Sequence, residues 1–251
     1  FFDGELPIAP SSIRANGELH TPKGKKDFET PRALELNEIP LLINEFRMAA
    51  QNAKDAGFDG IELHAANGYI INQFVDDISN KRTDSYGGSI ENRSKFLFEA
   101  VGAVLEVWDS KRVGIRISPS GLNTTAGDSN PKRTYSYIIG KLNDYNLGYL
   151  HLMNPMIPID EYPQMEADVP GFYGKLFKGN LIMNGGYDKE KGDEVLTKGE
   201  ADMISYGHLF IANPDLPKRF ELNAELNKLR SESIYTAGAE GYIDYPSLKN
   251  P

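Results

Sequence analysis

The stretch that decides the fold is Phe-Asp-Gly-Ile-Glu-Leu-His, residues 58–64, in which apolar and other side chains alternate. A period of two predicts a β-strand. Residues 37–57, just before it, carry apolar side chains at helical spacing, with Pro40 in the first turn and Gly57 at the end. Proline is tolerated at the start of a helix and glycine commonly ends one. The sequence therefore predicts a helix followed directly by a strand.

The same order of helix and strand recurs along the rest of the chain. Ser89 is placed to cap a second helix, which precedes a strand at 113–118. The remaining predicted elements are a helix near 134–145, strands at 149–153 and 180–184, a helix at 189–197, a strand at 201–206 and a helical region near 217–228. Five strands alternating with helices predict an α/β protein with a parallel sheet.

The amino-terminal region differs from the rest of the chain. Residues 1–35 follow no period and are rich in proline and glycine, so we expect an irregular segment with at most a short hairpin. We expect one domain over residues 1–251. The opening Phe1 to Gly4 lacks the features of a targeting peptide, and we expect that Phe1 is not a natural translation start. A chain without cysteine suits a reduced cytosol, so we expect a cytoplasmic location.

The composition excludes several classes of protein. With 40% hydrophobic and 25% charged residues, a disordered chain and a collagen-like repeat are excluded. Apolar runs are far shorter than the roughly 20 residues of a bilayer span, so no membrane segment is expected. The chain has no cysteine, which excludes disulfides, thiolate nucleophiles and cysteine-based metal sites, and no metal is expected. Its net charge of −9 argues against nucleic acid or an anionic membrane as the main partner.

The number of strands leaves two architectures open. A (β/α)₈ barrel takes about 250 residues, yet this length holds only five βα units. The sheet is therefore either open and five-stranded, or the later part of a TIM barrel whose first three strands precede Phe1. No glycine fingerprint for dinucleotides and no Walker sequence follows any strand, so an open dinucleotide-binding sheet has no support.

Charged residues occur on the inward face of two adjacent predicted strands. Alternation places Glu62 and His64 on one face of the first strand and Arg116 on the corresponding face of the next. Burying such charges is costly unless they are paired or serve a ligand. Two interpretations follow: a structural ion pair between Glu62 and Arg116, or a ligand site.

Polar side chains at the carboxyl end of the first of these strands are candidates for catalysis. His64 and Asn67 offer N–H donors that together could polarise a carbonyl or nitro group. Tyr69 is neutral at pH 7 and could give a proton to a nearby carbon. Parallel α/β folds build their sites at this end of the strands. The alternative is that His64 has a structural role, in which its ring nitrogens form hydrogen bonds within the fold and take no part in catalysis.

Longer motifs resemble one family. They are GFDGIELHAANGY (57–69), NQF (72–74), RTDSYGGSIENR (82–93), GIRISP (114–119), NGGYD (184–188), ANPDL (212–216) and GYIDYP (241–246). Their order and length resemble the old yellow enzyme family of flavin-dependent ene-reductases, including members like the oxophytodienoate reductases. The resemblance covers nearly the whole chain and corresponds to about the last two-thirds of a family member.

The resemblance implies a fold, a reaction and a set of site residues. The fold would be a (β/α)₈ barrel that binds FMN. NADPH, or sometimes NADH, would reduce the flavin, which would then reduce an electrophilic alkene such as an α,β-unsaturated carbonyl or nitro compound. The implied roles are substrate binding by His64, Asn67 and Tyr235, proton donation by Tyr69, contact with the flavin ring by Arg116, and phosphate binding by Gly185, Gly186, Gly207 and His208. A homodimer is a further possibility.

Two departures from the family keep alternatives open. His208 stands where the family usually has an arginine that clamps the phosphate, and a neutral imidazole is a weaker phosphate partner. The first three strands of the barrel are also absent. An alternative is therefore a truncated, cofactor-free or non-catalytic barrel fragment that needs a missing segment or a partner chain. Aldol or sugar-phosphate chemistry on a barrel is a third reading, but it lacks a lysine at a strand end and leaves His64 unexplained.

Overall fold

A five-stranded parallel sheet forms the centre of the molecule. The computed structural model describes residues 5–21, 24–121, 127–234, 236 and 238–248. In chain order the strands are β1 (Ile8–Ala9), β2 (Glu18–Thr21), β3 (Gly24–Asp27), β4 (Arg32–Ala33), β5 (Ile61–Ala65), β6 (Val113–Ile117), β7 (Tyr149–Met153), β8 (Asn180–Asn184) and β9 (Met203–Ser205). The helices are α1 (Ile39–Asp55), α2 (Ile70–Val75), α3 (Ile90–Leu105), α4 (Pro131–Leu142), α5 (Val169–Phe172), α6 (Lys189–Thr197), α7 (His208–Ala212) and α8 (Leu216–Leu222).

The main sheet has its strands in sequence order, β5-β6-β7-β8-β9, and all neighbours are parallel. Parallel neighbours need crossover connections, and helices supply them here. The register places His64 opposite Arg116, and Arg116 opposite His151. The inward polar residues of successive strands therefore lie side by side at one level of the sheet.

The other face of the sheet forms the hydrophobic core. Leu63, Ile115 and Leu150 are aligned across β5, β6 and β7, and all three are buried. They belong to one cluster with apolar side chains of α1, α2, α3 and α4. Phe74 and Phe96 stack within it, with ring centroids 4.2 Å apart. Burial of this apolar surface, worth about 25 cal/mol per Å², holds the helices on the sheet.

Local signals in the sequence set the helix ends. Ser89 caps α3 as predicted, because its side chain accepts a hydrogen bond from the backbone N–H of Asn92 at 3.3 Å. Pro40 occupies the first turn of α1. Asn130 and Asp188 cap α4 and α6 by accepting a bond from the N–H three residues later. Each cap satisfies one of the backbone donors left free at the start of a helix.

Several boundaries differ from the sequence prediction. Helix α4 begins at Pro131 and ends at Leu142, because Asn130 supplies a cap earlier than the predicted start. Helix α8 ends at Leu222, since Asn223 adopts a left-handed conformation with φ of 50°. The six-residue α2 was not predicted, because it is too short to show a helical period.

The amino-terminal segment contains more strand than expected. β2 and β3 form an antiparallel hairpin, while β1 and β4 pair in parallel and bring the two ends of the segment together. Arg82 anchors both ends, since its Nη1 donates to the carbonyl oxygens of Pro10 at 2.9 Å and Leu34 at 2.6 Å. The segment is thereby held beside the carboxyl end of β5.

Candidate active site

The turn after β5 brings the three candidate catalytic residues together. His64 lies on β5, and Asn67 and Gly68 form a turn in which both have positive φ, 58° and 78°. The backbone N–H of Asn67 donates to Ser118 Oγ at 3.0 Å, which ties this turn to the end of β6. The ring of Tyr69 lies 5.0 Å from that of His64, between centroids.

The chemical state of His64 suits a neutral hydrogen-bond donor. Burial lowers the pKa of His64 below its ordinary value, and the positive charge of Arg116 lowers it further. The imidazole is therefore neutral at pH 7 and carries one N–H. Tyr69 is exposed, so its hydroxyl is accessible to a small molecule.

Arg116 points into the inward face with incomplete hydrogen bonding. Its Nη2 donates to Asn184 Oδ1 at 2.7 Å, with Met153 Sδ at 3.4 Å. Its Nε is buried and has no hydrogen-bond partner among the described residues. Native proteins rarely leave a buried donor without a partner, so this nitrogen marks a place for a ligand acceptor.

The alternative of a Glu62–Arg116 ion pair is wrong. Glu62 Oε2 instead lies 2.9 Å from His151 Nδ1, and His151 Nε2 lies 2.7 Å from Ser205 Oγ. Burial acts to raise the pKa of Glu62, but hydrogen bonds from His151 and Tyr149 outweigh it and keep the pKa low. Glu62 is therefore ionised and satisfied, while Arg116 is left for other partners.

The glycines assigned to phosphate binding lie at the carboxyl ends of β8 and β9. Gly185 and Gly186 both have positive φ, 98° and 75°, in the turn after β8. Gly207 directly precedes α7, whose first residue is His208. A Cβ added at Gly186 or Gly207 would meet no atom within 4 Å, so open space lies beside both.

Asn184 connects these glycines to the rest of the site, and sequence reasoning missed it. It accepts the bond from Arg116, and its Nδ2 donates to the backbone oxygen of Ser205 at 2.9 Å. The sequence does contain an indication of this role, because Asn184 and Ser205 are polar residues at inward positions of their strands. The predicted substrate contact Tyr235 lies outside the described residues.

A cavity of about 380 Å³ lies between the turn at Asn67 and Gly68 and side chains of the amino-terminal segment. Its lining includes Ile8, Ile13, Leu19, Phe28, Asn67 and Tyr69. The wall is thus mostly apolar, with polar groups contributed by the turn. Small-molecule sites commonly combine these two features.

Within the described ranges, no three histidine or carboxylate side chains cluster in a way that could hold a metal ion. Over the same ranges, no helix has the length and apolar character required to cross a bilayer.

The fold and the site define an α/β protein of the barrel class, with hydrogen-bond donors gathered at the carboxyl ends of parallel strands. Residues 4–227 match the NADH:flavin oxidoreductase / NADH oxidase family. With this match, the chain belongs to that family, the old yellow enzyme family, as the motifs predicted.

Similar proteins agree with this assignment. The chain is 44% identical over 246 residues to 12-oxophytodienoate reductase 2 of Arabidopsis thaliana, covering 97% of the chain and 64% of that relative. It is 45% identical to the putative 12-oxophytodienoate reductase 5 of Oryza sativa subsp. japonica, covering 98% of the chain and 65% of that relative. The chain thus spans slightly less than two-thirds of the length of these relatives.

Solved structures confirm the fold. Morphinone reductase superposes with a TM-score of 0.92 at 41% identity, covering 99% of the chain and 68% of that structure. The old yellow enzyme homologue from Zymomonas mobilis gives a TM-score of 0.91 at 39% identity, covering 98% and 69%. The five βα units are therefore part of a (β/α)₈ TIM barrel, and the interpretation as an open sheet is wrong.

Proposed function

We propose that the protein is an FMN-dependent ene-reductase that reduces the C=C bond of α,β-unsaturated carbonyl or nitro compounds with NADPH or NADH. The observation that carries the proposal is the convergence of His64, Asn67 and Tyr69 at one turn, with the incompletely bonded Arg116 opposite His64 on the adjacent strand. A structure of morphinone reductase in complex with tetrahydroNAD supports a nicotinamide as the reductant. A cytoplasmic location and small-molecule partners stay predictions.

The residues present fit FMN. Arg116 offers a buried Nε without a partner, which suits an oxygen or nitrogen acceptor of the flavin ring. Gly185, Gly186 and Gly207 would offer backbone N–H groups to the phosphate, with open space beside Gly186 and Gly207. His208 would add a donor there. When bound, FMN would accept hydride from the nicotinamide and pass it to the alkene.

His64 and Asn67 would bind the oxygen of the substrate's carbonyl or nitro group. Negative charge grows on this oxygen as hydride reaches the β-carbon, so donors already in place stabilise the transition state more than the ground state. The neutral state of His64, which follows from its lowered pKa, leaves one N–H for this bond without placing a second charge beside Arg116.

Tyr69 would supply the proton for the α-carbon. Its hydroxyl is exposed, and its ring lies against that of His64, so both groups can reach one small molecule. The apolar cavity beside the turn would receive the rest of the substrate. A tyrosine hydroxyl placed beside the substrate can donate its proton as a general acid.

The test begins with the visible spectrum of the purified protein, recorded alone, after addition of FMN, and after addition of NADPH or NADH without oxygen. A bound-flavin spectrum that bleaches with a nicotinamide and recovers on addition of an enone, with the saturated ketone as product, is expected. No uptake of FMN would contradict the proposal and favour the cofactor-free alternative.

The role of Tyr69 is tested by the Tyr69→Phe variant. Bleaching of the flavin by the nicotinamide should be unchanged, while recovery with the enone should slow by about 10²-fold, the usual contribution of a general acid. Tyr137→Phe is the matched control, because Tyr137 lies on α4 and its ring packs against Phe98 of α3 instead of lining the candidate site. Equal enone rates in both variants would remove Tyr69 from the mechanism.

A further inference from the structure

A chain of buried hydrogen bonds runs behind the catalytic turn. The backbone N–H of Gly68, between Asn67 and Tyr69, donates to Asn72 Oδ1 at 2.8 Å. The same amide group of Asn72 donates through Nδ2 to Asp76 Oδ2 at 2.9 Å and to the Tyr135 hydroxyl at 2.8 Å. One side chain thus connects a buried carboxyl group to the turn that holds the candidate catalytic residues.

Asp76 is a buried carboxyl whose charge is not neutralised. Its second oxygen, Oδ1, accepts a bond from the Tyr135 hydroxyl at 2.8 Å. The nearest cation, Arg93, is already paired with Asp128, with Nη1 and Oδ2 2.6 Å apart. The titratable groups that face Asp76 and its partner Tyr135 are Arg93, Asp128 and Tyr173.

These surroundings place the titration of Asp76 near neutral pH. Burial raises the pKa of Asp76 to about 7, and the negative charge of Asp128 acts in the same direction, against the hydrogen bonds from Tyr135 and Asn72. Burial also raises the pKa of Tyr135 well above its ordinary value, so this hydroxyl stays protonated. Asp76 is therefore the group in this cluster that changes charge between pH 6 and 8.

The protonation state of Asp76 changes how strongly it holds the Asn72 amide. An ionised carboxylate accepts hydrogen bonds only, so it binds the NH₂ of Asn72 and leaves the amide oxygen facing Gly68. That bond is charge-assisted and therefore stronger than a bond between neutral groups. A protonated carboxyl still accepts from Nδ2 through its carbonyl oxygen, but the bond is weaker, so the amide that accepts from the Gly68 N–H is held less firmly.

We propose that Asp76 is a positioning residue for the active site, whose ionised carboxylate fixes the Asn72 amide and thereby the Asn67-Gly68-Tyr69 turn. The proposal rests on the proposed function for its catalytic meaning, since Asn67 and Tyr69 flank Gly68. The hydrogen-bond chain itself involves neither cofactor nor substrate, so it is testable without them.

The experiment measures exchange of the Gly68 amide hydrogen by NMR at pH 6 and pH 8, corrected for the intrinsic rate at each pH. In the wild type, protection of Gly68 should be about fivefold greater at pH 8, the effect of one ordinary hydrogen bond. In Asp76→Asn, which stays neutral, protection should be the same at both pH values.

Asp77→Asn is the matched control. Asp77 is the adjacent residue, but its carboxylate accepts bonds from the N–H and the hydroxyl of Ser129 instead of Asn72. This variant should keep the wild-type difference between pH 6 and 8. The proposal is overturned if the difference is absent in the wild type, or if it survives in Asp76→Asn, in which case His64 is its source.

A second measurement keeps the result independent of the variants' folding. In the wild type, the side-chain NH₂ resonances of Asn72 should titrate with the same midpoint as the Gly68 amide, and differing midpoints would contradict the proposal. For active protein, Asp76→Asn should flatten the pH profile of kcat for enone reduction between pH 6 and 8 and leave KM and flavin reduction unchanged. A failure of FMN binding would affect this last readout alone.

Discussion

Two arginines, Arg93 behind the catalytic turn and Arg116 on the inward face of the sheet, are bonded very differently. Arg93 uses all three nitrogens: Nε donates to the Gly88 oxygen at 3.2 Å, Nη1 to Asp128 and Val75, and Nη2 to Thr134 Oγ1 at 3.5 Å. Arg116 has only Nη2 engaged among the bonds described, and its buried Nε has no partner there.

The difference separates a structural arginine from one available to a ligand. The partners of Arg93 are two backbone carbonyl oxygens, one carboxylate and one hydroxyl from separate segments of the chain, so they hold the fold around it. Asn184 orients the guanidinium of Arg116, but the guanidinium can still donate hydrogen bonds to another partner. Stability should therefore depend on Arg93, and cofactor affinity on Arg116.

The largest expected effect comes from Arg93→Met. Removal of the guanidinium leaves Asp128 buried without its cation, which costs about 3–5 kcal/mol of the free energy of unfolding. Urea denaturation followed by circular dichroism measures it. Arg133→Met, at an exposed position of α4, is the control and should change stability by less than about 0.5 kcal/mol. Equal losses of stability in Arg93→Met and Arg133→Met would contradict the structural role of Arg93.

A second effect concerns the pH dependence of stability. The pKa of Asp76 is about 7 in the fold against an ordinary value of 3.8, so the folded state binds this proton more tightly than the unfolded state. The contribution of Asp76 to the free energy of unfolding is therefore fully present at low pH and is lost as the pH rises from about 4 to beyond 7. At about 1.4 kcal/mol per pKa unit, the loss approaches roughly 4 kcal/mol.

Urea titrations at pH 5, 6.5 and 8 measure this loss as the difference between wild type and Asp76→Asn. The variant should gain stability relative to the wild type as pH rises, because its amide carries no charge. Comparison of the two proteins at each pH cancels the contribution of His64, whose lowered pKa acts in the opposite direction. A difference that is constant with pH would contradict the assignment.

Arg116→Met should lower cofactor affinity while leaving the fold intact. One or more charge-assisted bonds to FMN, each worth about 1.5–3 kcal/mol, correspond to a loss of about 10- to 100-fold in affinity. Stability should fall by about 1 kcal/mol or less, because the site is only partly buried. Flavin fluorescence titration measures the affinity for FMN, and urea denaturation measures the free energy of unfolding. A large stability loss with unchanged affinity would reverse the roles of the two arginines.

The smallest expected effect distinguishes the loss of the α3 cap from the loss of the Arg93 side chain, which lies on the same helix. Ser89→Ala removes the cap of α3, four residues before Arg93, and should cost about 1 kcal/mol. Ser89→Asp, which keeps an acceptor at the same place, should restore it. If Ser89→Ala costs as much as Arg93→Met, the loss in the arginine variant reflects fraying of the helix.

The order of strands and helices could be predicted because each element carries its own local signal. The strands at 149–153 and 180–184 and the helix at 189–197 have the predicted bounds, since their apolar periods are bordered by turn residues. The family and the barrel followed from long motifs around His64. The placement of His64, Asn67 and Tyr69 at one turn follows from their spacing of two or three residues.

The rest depends on contacts between distant positions. Alternation places Glu62 and Arg116 on one face, but it does not say that Glu62 pairs two strands away with His151. Asp76 and Tyr135 are 59 positions apart, and Arg93 and Asp128 are 35 apart. No local period indicates such pairs, so the buried cluster behind the catalytic turn emerges only from the packing of α2, α3 and α4.

Arg82 bears on how this protein can change over evolutionary time. It clamps the chain at Pro10 and Leu34, so the segment between them is a loop closed at its base, and part of that loop walls the cavity. Doubling the length of a flexible loop costs only about 0.6 kcal/mol. Insertions in the hairpin can therefore reshape this cavity while the strands that carry His64 and Arg116 stay in place.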